Sequence, residues 1–401
     1  MDTIEIIRHA VKRYETPFYL FDLDCFQKRI STITALMDNR VKLCYAIKAN
    51  PFLTRTAASC LRRLEVCSPG EFAICERLEI PMEKIVLSGV YKEKKEIHRI
   101  FSQYGGKGVY TVESLQQFRL LAEEAEEMGL RISVLLRLTS GNQFGMDEEQ
   151  IHELIKNRNQ YPQIMIRGLQ FYSGTQKKKK NVVEGELARL DQLLAELRER
   201  WGYQAKELEY GPGLYVPYFQ KEEEQSLEET IGELNTMLAS MAFRGNIILE
   251  MGRYLAAMCG VYVTRLVDLK QNNGQNYAIV DGGINHLNYY GQTMAMKVPW
   301  YHHLSGKTLE PREGEQIPVT VCGSLCTVSD VLVKNLPLTE PQLQDVLVFE
   351  RTGAYSVTEG IYLFLSRDLP QILFWSEQEG LQLVREGICS HWWNGEVEKR
   401  R

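Results

Sequence analysis

The sequence has no apolar run long enough to span a bilayer. Its start, MDTIEIIRHAVKRYETP, lacks the apolar stretch and small-residue cleavage site of a secretory leader. No two of the nine cysteines stand in CxxC spacing and none of the seven histidines sits in an HExxH, so no metal is expected. An odd cysteine count with irregular spacing offers no disulfide framework; small buried thiols in a reducing cytoplasm fit better. Excess positive charge is also missing. The net charge of -5 gives no general attraction to nucleic acid. What is left is 401 residues of ordinary globular composition, enough for about two domains.

Two regions differ in pattern. Candidate strands occur at Lys42–Ile47, Leu64–Ser68, Lys84–Gly89, Gly108–Val112, Arg131–Leu138, Ile166–Gly174, Glu207–Gly211 and Asn246–Glu250. Between them lie helix-compatible stretches such as Ser114–Met128 and Val183–Arg200. Eight strand–helix units argue for a parallel sheet with right-handed crossovers, closed into a (β/α)8 barrel over residues 25–262. An open doubly wound sheet is the alternative, but no GxGxxG follows the first strand. After about Gly260 come β-rich runs joined by Gly, Pro and Asn turns, which predict an antiparallel β domain over 263–401. The strand-like Thr16–Asp24 precedes the barrel, and residues 1–24 are expected to close that domain.

In a barrel of this kind, chemistry sits where the strands end. That rule collects Lys48, Ser68, Glu71, Arg137, Tyr172, Gly174, Thr175, the Gly211-Pro212-Gly213 turn, Glu250, Gly252 and Arg253. A glycine turn offering backbone N–H groups suits a phosphate, although a tight turn alone is as ordinary a reading. A lysine beside such a cradle suggests a phosphate-bearing aldehyde, pyridoxal phosphate. A carboxylate such as Glu250 would keep that cofactor's pyridine nitrogen protonated.

Seven motifs then occur in order: YAIKAN (Tyr45–Asn50), VCSPGE (Val66–Glu71), YSGTQ (Tyr172–Gln176), GPGLYVPYF (Gly211–Phe219), EMGR (Glu250–Arg253), CGSLCTVSD (Cys322–Asp330) and GAY (Gly353–Tyr355). Together they resemble the fold-type III pyridoxal-phosphate decarboxylases, the diaminopimelate/ornithine/arginine decarboxylase family, over nearly the whole chain. The resemblance implies an alanine-racemase-like TIM barrel with a β domain. It implies that Lys48 bonds the cofactor's aldehyde and Glu250 pairs with its ring nitrogen. Thr175, Gly211–Gly213, Gly252, Arg253 and Tyr355 would bind its phosphate. Tyr172 stands where the family usually stacks a histidine on the ring. Arg137, Glu65, Ser68 and Glu71 would form the polar surround, and QFGM (Gln143–Met146) matches a further family stretch. Cys326 matches the acid that protonates Cα after carbon dioxide leaves. In this family it comes from the partner subunit, which implies a homodimer with composite sites.

The substrate end departs from the better-known members. They carry an acidic residue after the cysteine to hold a distal amine; here Thr327 follows Cys326. The segment INHLNYYGQTMAMK also lacks the arginine that grips the distal carboxylate of diaminopimelate. Asp330 or Glu359 could compensate for lysine or ornithine. YSGTQ, QFGMD, VPYF and EMGRYL look instead like the butirosin-pathway branch, which acts on an aminoacyl group tethered to an acyl carrier protein. Lys177–Lys180 could dock such an acidic carrier, though a solvated loop explains the run equally. Three readings compete: an amino-acid racemase, a non-catalytic relative, and a cofactor-free hydrolase using Glu250. Cys326 in its motif opposes the first, retention of Lys48 and Cys326 the second, and the phosphate-type turns the third.

Overall fold

A computed structural model of the chain describes residues 3–396; residues 1–2 and 397–401 of the expected β domain lie outside the described residues. The chain divides into two compact units. One comprises 29–216 and 225–255, the other 1–28, 217–224 and 256–401.

After a first strand, β1 (Phe18–Asp22), eight strands build the first unit. They are β2 (Val41–Ala46), β3 (Arg63–Val66), β4 (Ile85–Leu87), β5 (Val109–Val112), β6 (Ile132–Arg137), β7 (Ile164–Tyr172), β8 (Glu207–Gly211) and β9 (Asn246–Met251). They form a closed barrel in sequence order, and β9 pairs in parallel with β2 to shut it. The strands are almost wholly buried, which is why they read as apolar runs rather than alternating ones. The helices between them are amphipathic. Lys180–Trp201 buries Val183, Leu187, Leu190, Leu194 and Leu197 at three- and four-residue spacing and stops at Gly202 in the left-handed conformation. Each such fully buried leucine contributes about 1.5–3 kcal/mol.

The barrel interior is unusually charged. Cys44, Val86, Val109, Leu135 and Ile248 make an apolar layer. Beside it Arg63 Nη1 donates to Glu207 (2.7 Å) and Glu209 (3.0 Å), and Arg167 Nη2 donates to Glu207 (2.7 Å). Glu209 is fully buried, and burial first of all pushes its carboxyl up to about 8.

The second unit is a nine-stranded sheet. It adds β10 (Gly260–Asn272), β11 (Gln275–Val280), β12 (Tyr301–Leu304), β13 (Gln316–Cys322), β14 (Val331–Thr339), β15 (Val346–Phe349), β16 (Gln371–Ser376) and β17 (Gly380–Arg385). The main order is β14-β13-β11-β10-β1-β16-β17, with β15 pairing both β10 and β12. The N-terminal strand does close this unit, as expected. The sheet is mixed rather than antiparallel, because β1 runs parallel to β16 and β11 parallel to β13. Parallel neighbours need long crossovers, and both pairs have them in the chain that separates their strands. The β10–β11 hairpin turns on Asn273-Gly274, both at positive φ, the turn that asparagine–glycine favours.

The helix Thr3–Arg13 was not read from the sequence. It buries Ile6, Ile7, Ala10 and Val11 against Phe18, Leu20, Val261, Val263, Val346, Val348 and Leu373. Residues 217–224 belong with this unit. Tyr218 and Phe219 meet the Tyr289 ring at 5.7 and 5.9 Å, and Arg351 Nη2 donates to Glu224 at 3.0 Å.

Candidate active site

Strand β2 ends at Ala46, and Lys48 sits in the short helical turn Ile47–Ala49 that follows. Its Nζ lies 2.6 Å from Glu65 Oε2 on β3, 3.4 Å from Glu250 Oε1 on β9, and 3.7 Å from Cys67 Sγ. The carboxylates are the buried members: Glu65 and Glu250 side chains are 2% and 6% exposed, against 36% for Lys48. The lysine is therefore a half-open amine over a dry acidic floor rather than a buried charge.

The two acids are driven apart. Burial raises both, but the Lys48 ammonium overrides it at Glu65, which ends below the usual carboxylate range. At Glu250, burial and then the charge of Glu65 leave the carboxyl raised. Gln170 Nε2 on β7 donates to Glu250 Oε2 at 3.0 Å and fixes its plane. Arg137 at the end of β6 donates from Nη1 to Glu113 Oε1 (3.1 Å) and lies 4.8 Å from the Phe144 ring centre.

Three turns form a cradle beside this floor: Gly174-Thr175, Gly211-Pro212-Gly213 and Gly252-Arg253. A side chain at Gly213, which has φ +60°, would put its Cβ 2.0 Å from the Gly174 carbonyl oxygen. One at Gly252 would meet Ala49 Cβ at 2.7 Å. Lys177 N–H donates to Gly213 O at 2.9 Å, and Arg253 Nε to Thr175 Oγ1 at 3.3 Å. Tyr172, in register with Gly211, is half-buried at the end of β7, and burial pushes its phenol up.

Ser68 and Glu71 are engaged locally. Ser68 Oγ accepts from Glu71 N–H at 3.2 Å and caps the helix Pro69–Arg77, while Glu71 Oε2 accepts from Cys67 N–H at 2.6 Å. They hold the turn after β3 in place.

The remaining predicted residues lie in the β unit. Cys326 is exposed, Thr327 Oγ1 lies 2.9 Å from Ser329 Oγ, and Val328 is fully exposed. Asp330, expected at the substrate, is instead 2% exposed. Its carboxylate accepts N–H groups from Ile284 (2.9 Å) and Leu325 (2.7 Å), against Gly283 and Gly323, whose missing side chains leave it room. Its charge is committed to anchoring the Cys326 loop. Tyr355 takes a left-handed φ of 67° and its carbonyl accepts from Thr358 and Glu359 N–H groups.

Sequence reasoning missed Gln170, Glu113 and Lys92. Gln170 was findable, because it lies two residues before Tyr172 on one strand and so faces the same side. Lys92 is half-buried, donates to Gly89 O at 3.0 Å, and is pulled down to about 8, chiefly by desolvation.

The buried groups Arg137 Nε, Glu113 Oε2 and Gln170 Oε1 have no hydrogen-bond partner among the described residues. Orphaned polar atoms around an amine, next to a glycine cradle, fit a polar ring bearing a phosphate. The fold and site thus define a lysine-bearing barrel of the pyridoxal-phosphate class. Residues 23–257 match the family model described as pyridoxal-dependent decarboxylase, pyridoxal binding domain, and the chain belongs to that family. It is a pyridoxal-phosphate-dependent decarboxylase.

The chain is 26% identical over 395 residues to the L-glutamyl-[BtrI acyl-carrier protein] decarboxylase of Niallia circulans, covering 92% of this chain and 91% of that one. It is 24% identical to the diaminopimelate decarboxylase of Zymomonas mobilis, covering 86% and 84%. A diaminopimelate decarboxylase structure from M. jannaschii, in complex with L-lysine, superposes with a TM-score of 0.82 at 24% identity, over 96% of this chain and 92% of that one; it speaks to the fold. No helix among the described residues is long and apolar enough to cross a membrane.

Proposed function

We propose that this decarboxylase acts on an amino acid whose far end carries no charge, such as an aminoacyl group tethered to an acyl carrier protein. The observation that carries this reading is the loop after Cys326. Thr327 replaces the expected acid, and the carboxylate of Asp330 is sealed beneath the loop. A buried ammonium or carboxylate at the substrate's end would need a counter-charge. The relative from Niallia circulans, named for a carrier-bound glutamyl substrate, supports the same direction.

When bound, pyridoxal phosphate supplies an electron sink for the pair released as carbon dioxide departs. Lys48 would hold its aldehyde, Glu250 its ring nitrogen, Tyr172 its face, and the Gly174, Gly211–Gly213 and Arg253 turns its phosphate, with Tyr355 adding a hydroxyl. Glu65 holds the proton balance of Lys48 Nζ, which must be neutral to bond carbon. Gln170 keeps Glu250 oriented. Cys326 Sγ gives Cα the proton that replaces the lost carboxyl group. The exposure of Cys326 supports a site completed across a homodimer. Nine free thiols support a reducing compartment, and we place the protein in the cytoplasm.

Carbon dioxide release from a panel of free and carrier-loaded amino acids tests the substrate. Preference for diaminopimelate, lysine or ornithine over neutral-ended substrates would overturn it. Mixing inactive Lys48→Ala and Cys326→Ala chains tests the composite site. Random reassortment restores about a quarter of wild-type activity, because half the dimers then carry one intact site. No recovery after verified exchange would assign both residues to one chain.

A further inference from the structure

Asp368, Cys389 and His391 lie outside the site described above, and their donor atoms all fall within 4.8 Å of one another. Cys389 Sγ and Asp368 Oδ2 are 3.8 Å apart. A tetrahedral zinc ion, with bonds of about 2.0–2.3 Å, spaces its ligand atoms about 3.3–3.8 Å apart. One pair already stands at that spacing, and the His391 donor lies within 4.8 Å of both.

The backbones beneath these side chains are fixed. Leu369 and Ile388 exchange two hydrogen bonds (2.8 and 3.3 Å), clamping the segment that carries Asp368 to the one that carries Cys389. Ser390, fully buried between Cys389 and His391, donates to Arg367 O at 2.8 Å. Asn394 Nδ2 reaches Ser366 Oγ at 2.9 Å. The Asp368 carbonyl accepts from Nε2 of buried His286 at 2.8 Å. Two chain segments are thus locked together and present one oxygen, one sulfur and one nitrogen donor at a common point.

We propose that Asp368, Cys389 and His391 bind one divalent cation of the zinc type, with water in the fourth position. A thiolate with an imidazole selects a borderline or soft ion over magnesium or calcium. The bound ion would clip the C-terminal segment to the stretch preceding β16. Binding displaces the Cys389 thiol proton, so affinity rises with pH. The motifs CxxC and HExxH are absent because the third ligand comes from a distant segment.

Purified holoenzyme incubated with zinc(II) and then desalted should retain one zinc per chain. Cys389→Ser, Asp368→Asn and His391→Ala should each weaken zinc binding by more than the roughly 10–100-fold that loss of an outer-shell partner costs. All three side chains are exposed, so these variants leave the core untouched. Cobalt(II), after borohydride clears the cofactor's colour, should give the visible bands of tetrahedral thiolate coordination. Those bands should vanish in Cys389→Ser and persist in Cys326→Ser. Zinc should also slow labelling of Cys389 by a thiol reagent without slowing that of Cys60. Failure to retain zinc, equal retention in all three variants, or dependence on Cys326 in place of Cys389 would overturn the site.

Discussion

The barrel and the β unit use charge in opposite ways. In the barrel, buried carboxylates crowd together and share cations. Glu209 shares Arg63 with Glu207, and Glu65 shares Lys48 with Glu250. In the β unit the buried acids are over-supplied with donors. Asp345 accepts from His303, from both ends of the Arg312 fork, and from the N–H groups of Gly306 and Gln342. Asp330 is likewise held by two backbone donors. The difference teaches where function is stored. Acids that share a lysine at the mouth of the barrel can take part in proton chemistry, whereas those held by several fixed donors are pins.

The contrast can be broken most forcefully at Lys48. Lys48→Ala is expected to lower kcat/KM on the order of 10⁴-fold or more, with loss of borohydride-fixed cofactor, while the fold survives. A variant retaining activity within tenfold would mean that the acidic floor does not serve catalysis. The next largest effect is structural. Arg63→Met leaves Glu207 and Glu209 with a missing partner inside the barrel and should cost about 3–5 kcal/mol in urea denaturation. Adding Glu209→Gln should recover part of that loss.

Titration sharpens the comparison further. The Glu209 carboxyl rises from 4.5 to about 8, mainly through burial. Between those values the folded barrel holds a proton that the unfolded chain has released, so this group's contribution to stability falls as pH climbs through that window. Asp345 behaves oppositely. Burial raises it, but His303, Arg312 and the backbone donors hold it well below 3.8, so its stabilisation is present above that value and is lost as pH falls below it. Urea midpoints across pH should show Glu209→Gln gaining on the parent chain toward pH 8. An unchanged difference between pH 5 and 8 would place Glu209 in its ordinary range.

The smallest effect concerns the lysine run. Lys177 is withdrawn from it by its 2.7 Å pair with Glu186, leaving Lys178–Lys180 exposed at the start of a helix. Replacing those three by serine should raise KM for a carrier-bound substrate about 3–10-fold, with high salt erasing the difference. A KM that is unmoved at low salt removes the run from carrier docking.

The two regions were also unequally legible. Every barrel strand was visible in the sequence to within a few residues, because each is a buried run bracketed by helices. Lys48, Glu250 and the glycine turns followed from the single rule about strand ends. Gln170 was overlooked although it shares a strand face with Tyr172, whereas Glu113 was invisible because its partner Arg137 stands 24 residues away, joined to it only by barrel closure. In the β unit the legible runs were GVYVTRLVDLK, QNYAIVDGG, IPVTVCGSLC, DVLVFER and PQILFW, and β12, β14 and β17 fall outside them. β14 carries Pro337 and the positive-φ Asn335, and β17 is largely solvated, so neither offers a clean apolar signal. The backbone anchoring of Asp330 was not legible either, because a motif position does not say which way a side chain points.

The place of β1 between β10 and β16 has a consequence for how the protein is made. Phe18–Asp22 leaves the ribosome long before its parallel partner Gln371–Ser376. At about 5–20 residues per second the interval is on the order of half a minute. The barrel can close during that time, but FYLFD must wait with one edge unpaired. Until that partner arrives, the free edge is open to mispairing with other strands.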